Sequence, residues 1–468
     1  MRSLTSCFVV TVALGMAVPV SAQVAAPLPP RPDRPYRGLY GGDTANAQQL
    51  LTVSASLAGG YDDDIFAGTG NTTGAPPAGA GGSSSFISGS AQLGYSIAKS
   101  KASFYADYGT GTGYYPGLQE PTVLHHGASV GTSVRLGKHS SFSAGQSESY
   151  QPLYFWSWLP TNIAPIPPGP TFDLATMSAA DAVQAASLNL NRPIAADAVA
   201  AANSEYYLAS ETTVGFEQGL SRNLRLDLGF GYRRADSSSG IRDFENESGS
   251  GRLSYTIGKG VAVYGGYGHS DNKYPLADGT VSRYQGHNID AGVDFNKALS
   301  LTRRTFFSFQ TGVAGIDDGH TTHYSVIGNV HLTRELGRTW STGLSYARFV
   351  SYTETFRAPA LTDSLSAGIG GLISRTAQFQ ASVGVSRGDV GYAPDNTFNT
   401  YFATAGTRFG FTRNLGLSVN YTFYRYSFAS GILLPSNLSR RTSRQSFSAS
   451  IDFWAPLIQR NRSANATR

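Results

Sequence analysis

The chain has 468 residues, and only 14% of them are charged, against about a quarter in an ordinary soluble domain. High hydrophobicity does not account for the deficit, since the 41% hydrophobic share lies below the roughly 45–50% of a typical globular protein. The difference has gone to 54 glycines, to Ser and Thr, and to aromatics at 12%. That mixture is too poor in charge for a soluble surface, too polar for a helical membrane bundle and too aromatic for plain disorder.

The first element is a targeting segment. Met1-Arg2 is a short positive start, residues 7–20 are apolar, and Val20-Ser21-Ala22 is a small-residue cleavage site, so a signal peptide cut after Ala22 is expected. The only cysteine, Cys7, would leave with it, so neither a disulfide nor a thiolate metal site is expected in the mature protein. Residues 23–49 follow as a Pro-rich, basic leader, with Pro27, Pro29, Pro30, Pro32 and Pro35 among Arg31, Arg34 and Arg37. Such a stretch favours an extended conformation and reads as a flexible periplasmic tail or a docking segment.

From Leu51 onward one pattern repeats. Segments of ten to fifteen residues alternate apolar with small or polar, which puts the two sets on opposite faces of a strand. Leu415, Leu417, Val419, Tyr421 and Phe423 alternate with Gly416, Ser418, Asn420, Thr422 and Tyr424. The same holds for Leu224 to Tyr232 against Arg225 to Arg233, for Ile289 to Phe295 against Asn288 to Asp294, and for Phe379 to Val385 against Gln378 to Gly384. Eighteen such segments can be counted, centred near Ala55, Ala91, Ala106, Val130, Ala144, Thr212, Leu226, Leu253, Val263, Ala291, Phe309, Val326, Leu344, Ala367, Ala381, Ala405, Val419 and Ala449. One misread pair would make the count sixteen or twenty.

The connections alternate as well. After even-numbered segments they are short and often basic, as at Lys138, Arg222, Lys259, Arg338, Arg375 and Arg413; after odd-numbered ones they are usually longer and rich in Gly, Pro, Asp and Asn. Short turns at one rim and long loops at the other predict an all-β fold: a transmembrane antiparallel up-and-down barrel of about 18 strands over residues 50–458, in the bacterial outer membrane. A polar tail, residues 459–468, would follow it. A barrel of this size leaves an aqueous channel rather than a packed core.

The small, polar faces are expected to line that channel. Charged candidates on them are Arg135, Glu211, Glu217, Arg225, Asp227, Arg233, Asp290, Asp294 and Arg408, of mixed sign and so without strong ion selectivity. Tyr105, Phe306, Phe402, Tyr424 and Trp454 are candidate inward aromatics, either sugar-stacking faces or interface anchors. The connection from Trp156 to Glu205 contains two Ala-rich helical candidates, residues 177–188 and 194–202, and could fold into the lumen or stay outside.

No enzyme chemistry assembles. Gly127-Ala128-Ser129-Val130-Gly131 matches a nucleophile-elbow pattern but lies within a strand, where that motif needs a strand-turn-helix corner. The Asp62-Asp63-Asp64 run, and Asp317 and Asp318 with His320 and His323, could hold a cation but read first as solvated loop polars facing lipopolysaccharide. No catalytic residue, metal site or cofactor is expected. The formal charge of +5 comes partly from basic turns and the leader, and does not suggest nucleic-acid binding in an exported barrel.

The last segment, Phe447, Ala449, Ile451 and Phe453 against Ser446, Ser448, Ser450 and Asp452, resembles the signal read by the barrel assembly machinery, although the chain continues past it. The closing stretch Leu438-Ser439-Arg440-Arg441-Thr442-Ser443-Arg444-Gln445-Ser446-Phe447, followed by a strand ending in Trp454, together with the general layout, resembles the beta-barrel porin 2 group of outer-membrane proteins. That resemblance implies a companion of exopolysaccharide export, working with a periplasmic polysaccharide-export protein. A passive porin for small hydrophilic solutes and a structural or adhesive barrel are the alternatives.

Overall fold

The computed structural model describes residues 47–63, 83–116, 122–152, 206–237, 243–258, 261–275, 280–295, 305–317, 320–337, 339–352, 358–393, 395–432 and 440–461. The signal peptide, most of the leader, the helical candidates of residues 156–205 and the end of the tail lie outside them.

Eighteen strands form one sheet. In chain order they are β1 (Ala47–Asp62), β2 (Ser84–Ala98), β3 (Ala102–Tyr114), β4 (Thr122–Arg135), β5 (Ser140–Pro152) and β6 (Tyr206–Gly219). Then come β7 (Leu224–Ser237), β8 (Phe244–Gly258), β9 (Val261–Pro275), β10 (Val281–Phe295), β11 (Thr305–Asp317) and β12 (Thr322–Leu336). The last six are β13 (Trp340–Tyr352), β14 (Pro359–Leu372), β15 (Ala377–Val390), β16 (Thr397–Gly410), β17 (Leu415–Phe428) and β18 (Arg441–Asn461). Each predicted centre falls in its own strand. Every strand pairs antiparallel with its sequence neighbours, and β1 also pairs with β18, from Ala47↔Asn461 to Asp62↔Ser446, which closes the barrel.

Following the registers once around returns to β1 displaced by about 22 residues, a shear that sets the strands at roughly 40° to the axis and the backbone diameter near ~35 Å. That bore exceeds what wall side chains can fill, so the two faces of each strand meet different surroundings. Leu57, Ile289 and Val326 are more than 60% exposed on the outside, whereas Asp227, Thr400 and Ser418 on the inner face are nearly covered by their neighbours. Among the described residues no helix is long and apolar enough to cross a membrane; the strands cross it instead.

The short turns close through their own side chains. The Thr412 hydroxyl accepts the amides of Asn414 and Leu415, and the Ser221 hydroxyl those of Asn223 and Leu224. Gly337 (φ 68°) takes the left-handed conformation needed to turn from β12 into β13. At that rim Trp340 of β13 lies over Gly371 of β14 and 6.1 Å from Phe379, part of an interfacial aromatic girdle.

Two boundaries differ from expectation. The first strand begins at Ala47, before the expected barrel start at residue 50, and the last does not end at Trp454 but runs to Asn461. The physical reason is mutual: each extension supplies the other's hydrogen-bond partner, and a register irregularity between Leu51 and Thr52 absorbs the extra residue.

Candidate functional site: the lumen wall

The lumen wall has three levels. In the periplasmic half, charges form rows along the hydrogen-bonding direction. Glu217 of β6, Asp227 of β7, Arg252 of β8, Gly266 of β9 and Asp290 of β10 are successive register partners. Arg225 donates to Glu217 (3.3 Å) and to Asp227 (3.2 Å). The Arg252 guanidinium lies 3.3 Å from the centre of the Tyr264 ring, a cation–π contact. Gly266 leaves the gap that Asp290 occupies: a Cβ there would stand 2.5 Å from Oδ1 of Asp290. On the opposite arc Asp452 of β18 accepts hydrogen bonds from Ser56 (2.8 Å), from Ser450 (3.1 Å) and from Ser418, and Arg408 donates to Ser418 at 3.2 Å. Ser129, the centre of the elbow-like pattern, is mid-strand and donates to Asp107 at 2.5 Å.

The middle level is small and hydroxylated. On β5 the inward set is Ser141, Ser143, Gly145, Ser147 and Ser149; on β14 and β15 it includes Ser364, Ser366, Gly368, Ser382 and Ser386. Cross-strand bonds such as Ser386 to Ser364 (3.0 Å) and Ser382 with Thr404 (2.9 Å) tie these hydroxyls to the wall.

The extracellular level is an aromatic collar. Tyr424, Tyr426 and Phe428 of β17 succeed one another on the inner face, with ring centres 6.2 and 5.1 Å apart, and Phe428 meets Phe398 of β16 at 6.4 Å. Farther round, Phe244, Tyr274 and Tyr284 form a second group, and Phe86 stacks on Tyr115 at 5.4 Å. The groups of β7–β9 and β14–β17 belong to one buried apolar cluster, against which Tyr284 and Tyr352 also pack. Glycines let the rings lie flat: a Cβ on Gly388 would sit 2.5 Å from the Phe398 ring, and one on Gly384 would collide with Phe402.

Inside the collar Arg444 and Asp62 form a buried bidentate ion pair, with Nε at 2.8 and 2.9 Å and Nη2 at 2.7 Å from the carboxylate oxygens. Its neighbour Asp63 accepts the Gln445 amide at 2.6 Å. Two of the three aspartates in the run considered for a cation are therefore committed to β18, and His323 is stacked on Tyr392 at 5.0 Å. No group of three or more potential metal ligands occurs among the described residues.

The structure brings Glu217, Asp227 and Asp290 into one row with Arg252, and Arg225 bonds to Glu217 and Asp227 from the next inward position on β7. It sets Glu211 opposite Arg233, whose guanidinium lies 5.9 Å from the centre of the Phe244 ring. Arg408 joins Asp452, Tyr424 lies buried in the collar beside Arg444, and Tyr105 covers Gly131 low in the wall. Arg135 is exposed at the periplasmic end of β4, away from the others. Asp294 pairs with Ala262 through its backbone, but its side chain, like that of Phe306, lies outside the described residues. Sequence reasoning missed Arg252, Asp452, Asp107 and the Asp62–Arg444 pair. Alternation marks the first three, since Arg252 sits between Ser250 and Ser254 on the small face; nothing local marks the last.

A closed barrel with an apolar outer belt, short turns and both barrel ends at one rim, and longer loops at the other is a transmembrane protein of the bacterial outer membrane. Its short-turn rim is periplasmic. No protein-family model and no curated protein matches the chain, so the likeness to the beta-barrel porin 2 group rests on the closing stretch and layout alone. Among solved structures it is similar to the ferric-catecholate import receptor Fiu of E. coli K12 in its open form, at 9% identity and TM-score 0.40, over 87% of this chain and 81% of that one. The siderophore receptor PirA of Acinetobacter baumannii is similar at 8% identity and TM-score 0.42, over 87% and 80%. Likenesses at these scores assign neither a family nor a cargo.

Proposed function

We propose that the barrel is an outer-membrane conduit whose cargo is a hydroxyl-rich polymer, an exopolysaccharide leaving the cell. The observation that carries this reading is the order of surfaces along the lumen. Self-neutralised charge rows lie at the periplasmic half, a hydroxyl and glycine track follows, and an aromatic collar stands at the extracellular mouth. Arg225 and Arg408 each lie against a carboxylate, so the wall offers hydrogen bonds more than a field of one sign. Hydroxyls exchange hydrogen bonds with a passing sugar, and aromatic faces stack on its apolar ring faces. In this reading Glu211, Glu217, Arg225, Asp227, Arg233, Asp290 and Arg408 line the path, and Tyr424 belongs to its exit.

Deletion of the gene should abolish surface polymer while synthesis continues inside the cell. Normal surface polymer in the deletion strain would exclude export. A passive porin would then be the reading to follow, recognised by open, stable conductance of the purified barrel in planar bilayers.

A further inference from the structure

On β3 to β6 the lipid-facing surface carries polar residues. The outward set there includes Thr110, His126, Gln146, Glu148, Ser210 and Thr212. Facing is fixed by register: Val130 pairs with Gln146, Gln146 with Thr212, and Tyr150 with Leu208, and cross-strand partners share a face. Val130, Tyr150 and Leu208 are exposed on the outside.

The polar groups are not at a rim. Below them on the same strands stand Val130, Phe142, Ala144, Val214 and Phe216, and above them Leu124, Tyr150 and Leu208. At the usual rise and tilt they lie roughly 15–23 Å above the periplasmic rim, inside a lipid-facing band about 25 Å tall.

Part of the patch satisfies itself. Gln146 donates to Ser210 at 2.9 Å and accepts from Thr212, and Nδ1 of His126 is 2.9 Å from the Thr110 hydroxyl. Glu148 is different: it is exposed, and no hydrogen bond or counter-ion reaches it from its own chain among the described residues. Several other outward charges are paired, Arg234 with Asp236, Lys273 with Glu245 and Glu247, Arg283 with Asp271, and Arg348 with Asp363. A carboxylate facing hydrocarbon needs a partner.

We propose that a second copy of this chain covers this face, as a twofold dimer in the membrane. Both copies must stand the same way up, so the axis runs along the membrane normal and each residue meets a partner residue at its own height. An axis between β4 and β5 sets His126 of one copy opposite Glu148 of the other, and Thr110 opposite Thr212. Measured from the periplasmic ends of their strands, the members of each pair stand within about 3 Å of the same height. The patch thus carries its own complement: an imidazole for the carboxylate and a hydroxyl for a hydroxyl, in lipid, where polar contacts between spans hold them together.

The test uses two full-length proteins in a Cys7→Ser background, one with His126→Cys and one with Glu148→Cys. They are co-expressed, extracted in mild detergent and oxidised. A disulfide-linked dimer joining the two variants is expected, with none from Val326→Cys on β12. Wild-type protein should have the mass of a dimer by light scattering. Glu148→Leu should weaken that dimer by about tenfold or more, while the heat-modifiable band of a folded barrel is retained. Monomeric wild-type protein without crosslinks would overturn the proposal. So would a crosslink from Glu148→Cys to a different protein alone, or an equal yield from Val326→Cys.

Discussion

Two sectors of the same wall use their faces differently. Over β14 to β17 the inner face carries Phe398, Phe402, Tyr424, Tyr426 and Phe428, and Asp363 on the outer face is paired with Arg348. Over β4 to β6 the inner face is reduced to serine, glycine and a few charges, and the outer face carries Gln146 and Glu148. The backbone is the same in both, with a period of two and antiparallel registers. Period two therefore decides only that there are two faces; what each meets depends on the neighbouring strands.

That contrast can be broken at four places, in decreasing order of effect. Arg444→Ala leaves Asp62 buried without its counter-ion and should destabilise the barrel by about 3–5 kcal/mol, read by urea unfolding from lipid vesicles; Arg135→Ala at the exposed rim should change little. Phe398→Ala removes a fully buried collar ring and should cost about 3 kcal/mol. The same change should raise conductance in planar bilayers, whereas an unchanged conductance would show that the collar does not narrow the path. Leu417→Arg puts a charge on the apolar outer face and should cost about 2–4 kcal/mol near the midplane, while Thr422→Arg on the inner face of the same strand should cost less than about 1 kcal/mol. Equal tolerance at the two sites would reverse the facing of β17. Glu148→Leu should have the smallest effect on folding, a stabilisation of the monomer by at most about 1 kcal/mol, because it removes a carboxylate from lipid.

Much of this was legible in the sequence. The strand count and order, the turn alternation and the inner faces of β7, β10, β15 and β17 follow from period two and turn composition alone. Arg252 and Asp452 carry the same local signal as Asp227 and Asp290, so a fuller use of alternation would have found them. The buried pair was not legible: Asp62 and Arg444 are 382 residues apart, and each reads as an ordinary polar residue beside a loop. Only the closing register places them together. The outer polar patch was hidden for another reason. On β5 both faces contain polar residues, and Val130 and Leu208 on adjacent strands decide which set meets lipid. The ends of the barrel were misjudged because β1 and β18 lengthen one another, and neither extension has a hydrophobic pattern that declares it.

The seam has a consequence for how this protein is made. β18 is the partner of both β17 and β1, so until the final residues have emerged the growing sheet has two unpaired edges. Such edges invite pairing with other chains, and closure across nearly the whole sequence is the slowest kind of contact to form. Asp62 and Arg444 lie on the two seam strands, so their bond requires that seam to be paired. A chain shortened by its last strand would lose the means of becoming a cylinder at all, remaining an open sheet for a protease to find.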